Sequence, residues 1–369
     1  MKKLSRAALS LLAVMPGLAL AQSSVQISGV MDAGVRMDRG AASGSVTSVG
    51  SGQRDASRIT FSGIEDLGGG LKAGFILESG IGVDTGAGIN NPPGTAPGPL
   101  TWGRLSTLTL GSDATGYLSL GRQYTPMWAI SAGPANDPFG AGWLGGIATI
   151  YSFTVRASNS LVYSYGYTAQ TTLLPAPRKG LGAMLMYSLA ETSTPSSNAG
   201  RQLGGNVSYG DGVWWVGYGY HQVNGSNTTI SATAPVADSP TVKQQTLGAS
   251  YQLAWGRVHV GLNSGKNGLS GAGAVDRLNW HVGANLLFDG RHTVRALVGK
   301  SKDRTATQAE VTTIQLGYGY DLSKRTALYA AVGQMDNNSA SAAALGGSIG
   351  TYAPGSTARS VIGGVRHIF

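Results

Sequence analysis

The sequence predicts an all-β fold, an antiparallel barrel of about 16 strands that closes within a membrane. Three observations carry the expectation. Polar and apolar residues alternate over segments of about ten residues, the length a tilted strand needs to cross a bilayer. Charged residues make up only 12% of the 369, yet no apolar run beyond residue 21 is long enough for a membrane helix, which needs roughly 20. Short turns with Gly and Asp alternate with long loops rich in Gly, Ser, Asn and Thr.

The chain begins with a targeting pattern. Lys2, Lys3 and Arg6 precede an apolar run from Ala7 to Met15, followed by Pro16, Gly17 and Ala19-Leu20-Ala21. Residues 1–21 read as a cleavable signal peptide, which leaves 22–369 as the barrel domain. The run is too short to be a comfortable membrane anchor. Removing 21 residues from 369 leaves 348, enough for about 16 strands at roughly 22 residues per strand and connection. Cysteine is absent, so disulfides play no part. Net charge is +9, and Lys2, Lys3 and Arg6 account for three of these, leaving +6. The Lys and Arg residues are scattered singly without interleaved aromatics, which argues against a nucleic-acid surface. A positive field inside a channel is the more informative use of that charge. A Gly-rich soluble solenoid is the rival fold, but no fixed repeat is visible.

The first strand runs through Ser24 to Arg36. Val25, Ile27, Met31, Ala33 and Val35 share one face; Gln26, Ser28, Asp32 and Arg36 share the other. In a bilayer the first face meets lipid and the second lines the lumen. A second strand covers Arg58–Gly63 and turns through Glu65–Gly70, and a third runs from Leu71 to Ser79 with Lys72 and Glu78 inward. Asn90-Asn91-Pro92-Pro93 marks a loop before a strand at about 101–111, and Ser112–Gly116 a short turn. The stretch 125–155 is long. Residues 157–167 read as a strand with Leu161, Tyr163, Tyr165 and Tyr167 on one face. Further strands are expected near 180–190, 201–210, 213–223, 244–253, 256–265, 277–288, 291–300, 311–321, 325–335 and 358–369. Tight turns fall at Gly210-Asp211-Gly212, Ala254–Gly256, Asp289-Gly290 and 321–325, and a longer one carries Pro175 and Pro177. Such strands must close into a ring, because an open edge in lipid leaves backbone amides unbonded at several kcal/mol each. An even strand number puts both termini on the periplasmic side.

Four stretches resemble the general-diffusion porins of Gram-negative β-proteobacteria. They are Ser24–Val35, Ser57–Ala73 with Glu65-Asp66-Leu67-Gly68-Gly69-Gly70 inside it, Leu118–Pro126, and the terminal Gly363-Gly364-Val365-Arg366-His367-Ile368-Phe369. The resemblance implies a 16-stranded barrel, a homotrimer in outer-membrane lipid and lipopolysaccharide, and a third extracellular loop, 125–155, folded into the pore. It also implies that the last strand, with Val361, Val365 and Phe369 on one face, is the signal read by the barrel assembly machinery. An ordinary terminal strand is the alternative.

A diffusion channel selects by width and by the field of its lining charges. Arg58 alternates with Thr60 and Ser62, and Arg156 with Ser158, Ser160 and Ser164, so both face the lumen. Arg104 shares its parity with Ser106, Leu108 and Leu110, so alternation does not settle its face. Arginines matching these three form a basic constriction cluster in the anion-selective members of the family. Trp102 and Gly103 depart from the more basic pattern common there. Glu78 matches an acid beside that cluster. Asp137, in Asp137-Pro138-Phe139-Gly140, matches the inward loop segment, with a plain surface turn as an equal reading. Arg122 shares parity with Leu118 and Leu120, which points it to lipid unless a bulge intervenes. His259, His281 and Arg277 face inward by parity. Trp214, Trp215, Tyr218, Tyr220, Trp280, Tyr318 and Tyr320 are candidates for the interfacial girdles.

The expected function is passive diffusion of small hydrophilic solutes, with small anions preferred. A substrate-specific channel, a barrel hydrolase and a filled structural barrel are the alternatives. No phosphate-binding loop, zinc helix or nucleophile elbow occurs, and five scattered histidines suggest no metal or cofactor.

Overall fold

The computed structural model describes residues 24–89, 98–133, 135–140, 142–167, 179–190, 200–225, 241–271 and 273–369. The signal peptide, Asn90–Pro93 and the turn with Pro175 and Pro177 lie outside the described residues.

The first seven strand segments are β1 (Ser24–Ala41), β2 (Gly44–Ser51), β3 (Arg58–Gly68), β4 (Leu71–Ile81), β5 (Gly88–Ile89), β6 (Leu105–Ser112) and β7 (Gly116–Tyr124). After a long loop come β8 (Arg156–Tyr165), β9 (Gly180–Ser188), β10 (Gln202–Gly210), β11 (Trp214–Val223) and β12 (Val242–Leu253). The last six are β13 (Gly256–Lys266), β14 (Asp276–Phe288), β15 (His292–Asp303), β16 (Glu310–Asp321), β17 (Thr326–Asn337) and β18 (Thr357–Ile368). Consecutive segments pair antiparallel except β2 with β3 and β5 with β6, and β1 pairs with β18 from Val30↔Ile368 to Arg39↔Arg359, which closes the ring.

The 18 segments make 16 barrel strands. The lower half of β1 pairs with β3 and its upper half with β2, so β2 and β3 are one strand broken by an inward excursion at 52–57. Both β5 and β6 pair with β4 and are likewise one strand, broken between Ile89 and Leu105. Three sequence expectations are corrected here. The first strand extends past Arg36 to Ala41, and its partner β2 had no strand assignment. The Glu65–Gly70 turn is mostly strand, because β3 continues to Gly68 and turns only through Gly69-Gly70. The strand expected from 101 begins at Leu105.

Alternation does what the bilayer demands. Val25, Val35, Leu108, Leu185, Val282 and Ile314 are exposed on the outer face, while Asp32, Arg36, Thr109, Asn206 and Asn279 are buried inside. Trp214, Tyr218, Trp280 and Tyr318 are exposed on the outer wall as girdle residues require, but Trp215 is 2% exposed and points inward, correcting its assignment. Tyr167 also leaves the exposed tyrosine face. The strand ends at Tyr165, Gly166 adopts φ +77, and the Tyr167 ring is buried against Met184 and Met186.

One barrel end carries the tight connections together with the C-terminus. Asp289 and Gly290 adopt φ +50 and +66, the left-handed pair at the centre of a tight turn that the Arg291 N–H closes on Phe288 O. In the 211–213 turn the Asp211 carboxylate accepts the N–H groups of Trp214 (2.6 Å) and Val213 (2.8 Å), which hold it below the usual carboxylate range. At this end the terminal Phe369 exchanges backbone hydrogen bonds with Gly29 of β1, and its ring lies over Gly29, where a Cβ would meet ring carbon Cζ at 2.5 Å.

The long loop 125–155 folds into the lumen. Thr125 Oγ1 accepts the Trp128 N–H and starts the short helix α1 (Pro126–Ser131), with proline at the position whose N–H is not needed. A single 3₁₀ turn follows at Gly146–Thr149. The loop is tied to the wall in order around the barrel. Asn206 of β10 donates to Pro126 O, Thr246 of β12 bonds Ser131, Asn263 of β13 brackets Ser152, and Gln315 of β16 reaches Gly146 O. Its apolar side chains, among them Phe139, Trp143, Leu144, Ile147 and Ile150, pack against the wall as one buried cluster with Leu297, Tyr329 and Met335.

Close approach is possible because the facing wall positions are glycines. A Cβ on Gly219 would lie 3.1 Å from the Met127 backbone. One on Gly283 would meet Pro138 Cγ at 2.6 Å, and one on Gly317 would lie 3.0 Å from both Phe139 and Trp143. The last loop, 338–356, also turns inward. Leu345 is buried in the same cluster, Gly346 N–H donates to Leu144 O, and Arg36 donates to Gly346 O at 2.6 Å while pairing with Asp38 at 2.7 Å.

Candidate pore constriction

Glu78 is the centre of a charged cluster on the lumen wall between β3 and β8. Its pairing partner across β3 is Thr60, whose hydroxyl donates to Glu78 Oε2 at 2.9 Å. Arg104 Nε donates to Glu78 Oε1 at 2.7 Å, and Arg58 Nε stands 3.4 Å from Oε2. Arg104 also donates to the Tyr124 hydroxyl at 3.0 Å, as does Arg156 at 2.8 Å. The Arg156 guanidinium lies over the Tyr124 ring, 4.4 Å from its centroid. Three arginines thus share one glutamate and one tyrosine, and the group carries two positive charges in excess. A recess of about 320 Å³ beside it is lined by Gln26, Ser28, Arg58, Thr60, Ser62 and Glu78 together with apolar side chains such as Phe75 and Ile76.

The structure brings Arg58, Glu78, Arg104 and Arg156 together. Arg104 contradicts its parity for a local reason: it precedes β6, and its backbone N–H bonds Glu78 O. Strand alternation therefore does not govern it. The chain turns its side chain inward just before Leu105 takes up the ladder opposite Glu78.

Arg122 is not in the cluster. It pairs with Ser106, which shares the outer parity of Leu108, and donates to Gly103 O (2.7 Å) and Ser158 Oγ (2.8 Å). A bulge does intervene. The register shifts between Gly121 and Gln123, so Ser158 and Asn159, the latter at φ +53, stand against Arg122 alone. The extra residue reverses the faces of β8 at that point, so Ala157 is buried and Ser158 is exposed rather than lumenal, whereas Gln123 keeps the inward parity of Ser119.

Asp137 lies in the inward loop and not in a surface turn. It is buried, and its Oδ1 accepts the Phe139 N–H at 2.9 Å, which shapes the chain there without touching the arginine cluster. His281 and His259 act as loop tethers. His281 Nε2 donates to Asn136 O at 2.8 Å, because a carbonyl only accepts, so its Nδ1 is left to accept from the Tyr151 hydroxyl at 2.6 Å. His259 Nδ1 donates to Ala135 O. Arg277 is exposed near the loop end of β14.

Sequence reasoning missed Tyr124. It is the shared partner of two arginines and stacks on Trp128, which packs edge-on against Phe153, so it couples the cluster to the loop. Its position one residue before Thr125-Pro126, at the mouth of the long loop, was the available signal.

A closed barrel with an apolar outer wall, a polar lumen and a loop seated across that lumen defines a channel-forming protein of the outer membrane. The chain belongs to the Gram-negative porin family, whose model matches residues 8–340. It is 32% identical over 387 aligned positions to outer membrane porin protein 32 of Delftia acidovorans, with both chains covered in full. An outer membrane porin of Bordetella pertussis is 29% identical, covering 89% of this chain and 93% of its own. Among solved structures, the anion-selective porin from Comamonas acidovorans superposes with a TM-score of 0.77 at 27% identity, covering 94% of this chain and all of that one.

Proposed function

We propose that this porin is an anion-preferring diffusion channel with Arg58, Arg104 and Arg156 as its selectivity cluster and loop 125–155 as its constriction. The carrying observation is three arginines compensated by only one carboxylate, Glu78, on a wall opposite a folded-in loop. The positive charge of the chain and the anion-selective neighbour support the same reading. Channel passage needs no bond chemistry, so the protein acts without a catalytic residue. Small hydrophilic solutes cross by diffusion, and the arginine field enriches anions among them. The test is the zero-current potential in a KCl gradient across a planar bilayer. A chloride-side potential is expected, and a potassium-side one would refute the selectivity.

The proposed assembly is a homotrimer in outer-membrane lipid and lipopolysaccharide, after export by the signal peptide at 1–21. Phe369 is proposed as the feature read by the barrel assembly machinery. Deleting it removes the ring that covers Gly29 and the last backbone pairs of the closing seam. Heat-resistant barrel in outer membranes should then fall several-fold at equal synthesis. Wild-type yields from the deletion would rule the role out.

A further inference from the structure

A second group of arginines faces the lumen and is not used by the cluster around Glu78. Arg54 projects from the inward excursion at 52–57, Arg295 from β15 and Arg366 from β18. Trp143 of the inward loop brings two of them together: the Arg54 and Arg295 guanidinium carbons lie 5.1 and 5.4 Å from its ring centroid. Trp143 is itself held in place by its N–H bond to Arg54 O, at a backbone φ of +58.

The acids around the group do not neutralise it. Asp55 pairs with Arg366 at 3.1 Å and with Arg54 at 3.5 Å, so one carboxylate serves two arginines. The Asp32 carboxylate is occupied by the N–H groups of Arg54 and Asp55 and by the Tyr329 hydroxyl. Asp321 and Asp137 lie within electrostatic range but form no ion pair with the three. Among the described residues the Arg295 side chain makes no hydrogen bond and no ion pair; Arg295 Nε, Arg54 Nη1 and Arg366 Nε are buried donors without a partner. A guanidinium offers five donors and no acceptor, in a fork matched to carboxylate and phosphate oxygens. Like charges gathered around one indole ring, with donors left over, call for an anion.

We infer that Arg295, Arg54 and Arg366 form a second anion-binding station in the lumen, one that takes the oxyanion group of a solute, carboxylate or phosphate. It adjoins the selectivity cluster, because Arg58 donates to Ala56 O at 2.8 Å in the same excursion. The inference rests on the anion-channel reading and adds a binding step to it. Chloride is carried by the field of both groups, whereas an oxyanion dwells where the forks are unpaired.

The experiment uses the full channel in a planar bilayer, with inorganic phosphate added at fixed KCl. Wild type should show a saturable fall in chloride current. In Arg295→Gln the half-blocking phosphate concentration should rise about tenfold, and in Arg295→Lys by less, because charge remains without the fork. Arg366→Gln gives a second, independent reading, and open-channel steps in plain KCl show that each variant has folded and inserted. Equal half-block in wild type, Arg295→Gln and Arg366→Gln, or no saturable block in wild type, overturns the station. The wild-type potential in a KCl gradient, read before phosphate is added, separately tests the anion preference.

Discussion

Arg58→Gln combined with Arg156→Gln should remove the anion preference of the channel while leaving the barrel folded. The two arginines supply the excess charge; Arg104 and Glu78 remain as a buried neutral pair at 2.7 Å. Two charges about 7 Å from a passing ion are worth roughly 1 kcal/mol in water, and about half of that in 0.1 M salt. An anion gains that energy and a cation loses it, so the anion-over-cation bias is roughly five- to thirtyfold, which the double variant should bring close to one. Arg58 is partly exposed, and Arg156 bonds a neutral tyrosine rather than a carboxylate, so neither substitution strands a buried charge. Arg104→Gln is a different case. It leaves Glu78, 1% exposed, with Arg58 alone at 3.4 Å, and breaking one side of a buried pair costs about 3–5 kcal/mol. The measurement is the zero-current potential in a KCl gradient, with heat-modifiable mobility as the folding control. A double variant as anion-preferring as wild type would remove these arginines from the selectivity mechanism.

Gly317→Val should unseat loop 125–155 and raise single-channel conductance. The Cβ alone would sit 3.0 Å from Phe139 and from Trp143, and the two valine methyls project further into the same rings. Overpacking of this kind costs about 1–3 kcal/mol, and the loop yields before the wall because the wall is held by continuous ladders with β15 and β17. The expected outcome is a conductance increase of roughly twofold with broader step sizes, as the constriction loses its fixed position. Gly219→Val, at the other end of the loop under Met127, should act in the same direction. Wild-type conductance in both variants would mean that the loop does not limit the pore.

These two predictions separate what was readable from what was not. Arg58 and Glu78 were legible because they lie inside regular strands, where parity assigns a face and β3–β4 pairing places Thr60 opposite Glu78. Arg104 was not, because it stands just outside its strand, where the period of two that parity relies on is interrupted. Arg122 keeps the outer face its parity gives, opposite Ser106, and so stays out of the cluster. The role of the glycines was hidden in plain view. Leu316-Gly317-Tyr318-Gly319-Tyr320 shows small residues inward and aromatics outward, but a lumenal glycine reads the same whether it faces water or a packed loop.

By itself the sequence determined the barrel: a ring of about 16 strands, its lipid and lumen faces and the end that carries the tight turns. The bilayer imposes those features strand by strand, through backbone satisfaction and side-chain alternation, and both are local properties. Only the tertiary structure decided how the lumen is used. It joined β2 with β3 and β5 with β6, pressed loop 125–155 against a wall of glycines, and set three arginines around Glu78 and Tyr124, two more over Trp143, and Arg366 beside these on Asp55. Those arrangements depend on contacts between residues more than a hundred positions apart, such as Asn136 with His281 and Asp55 with Arg366, for which no periodicity exists in the chain.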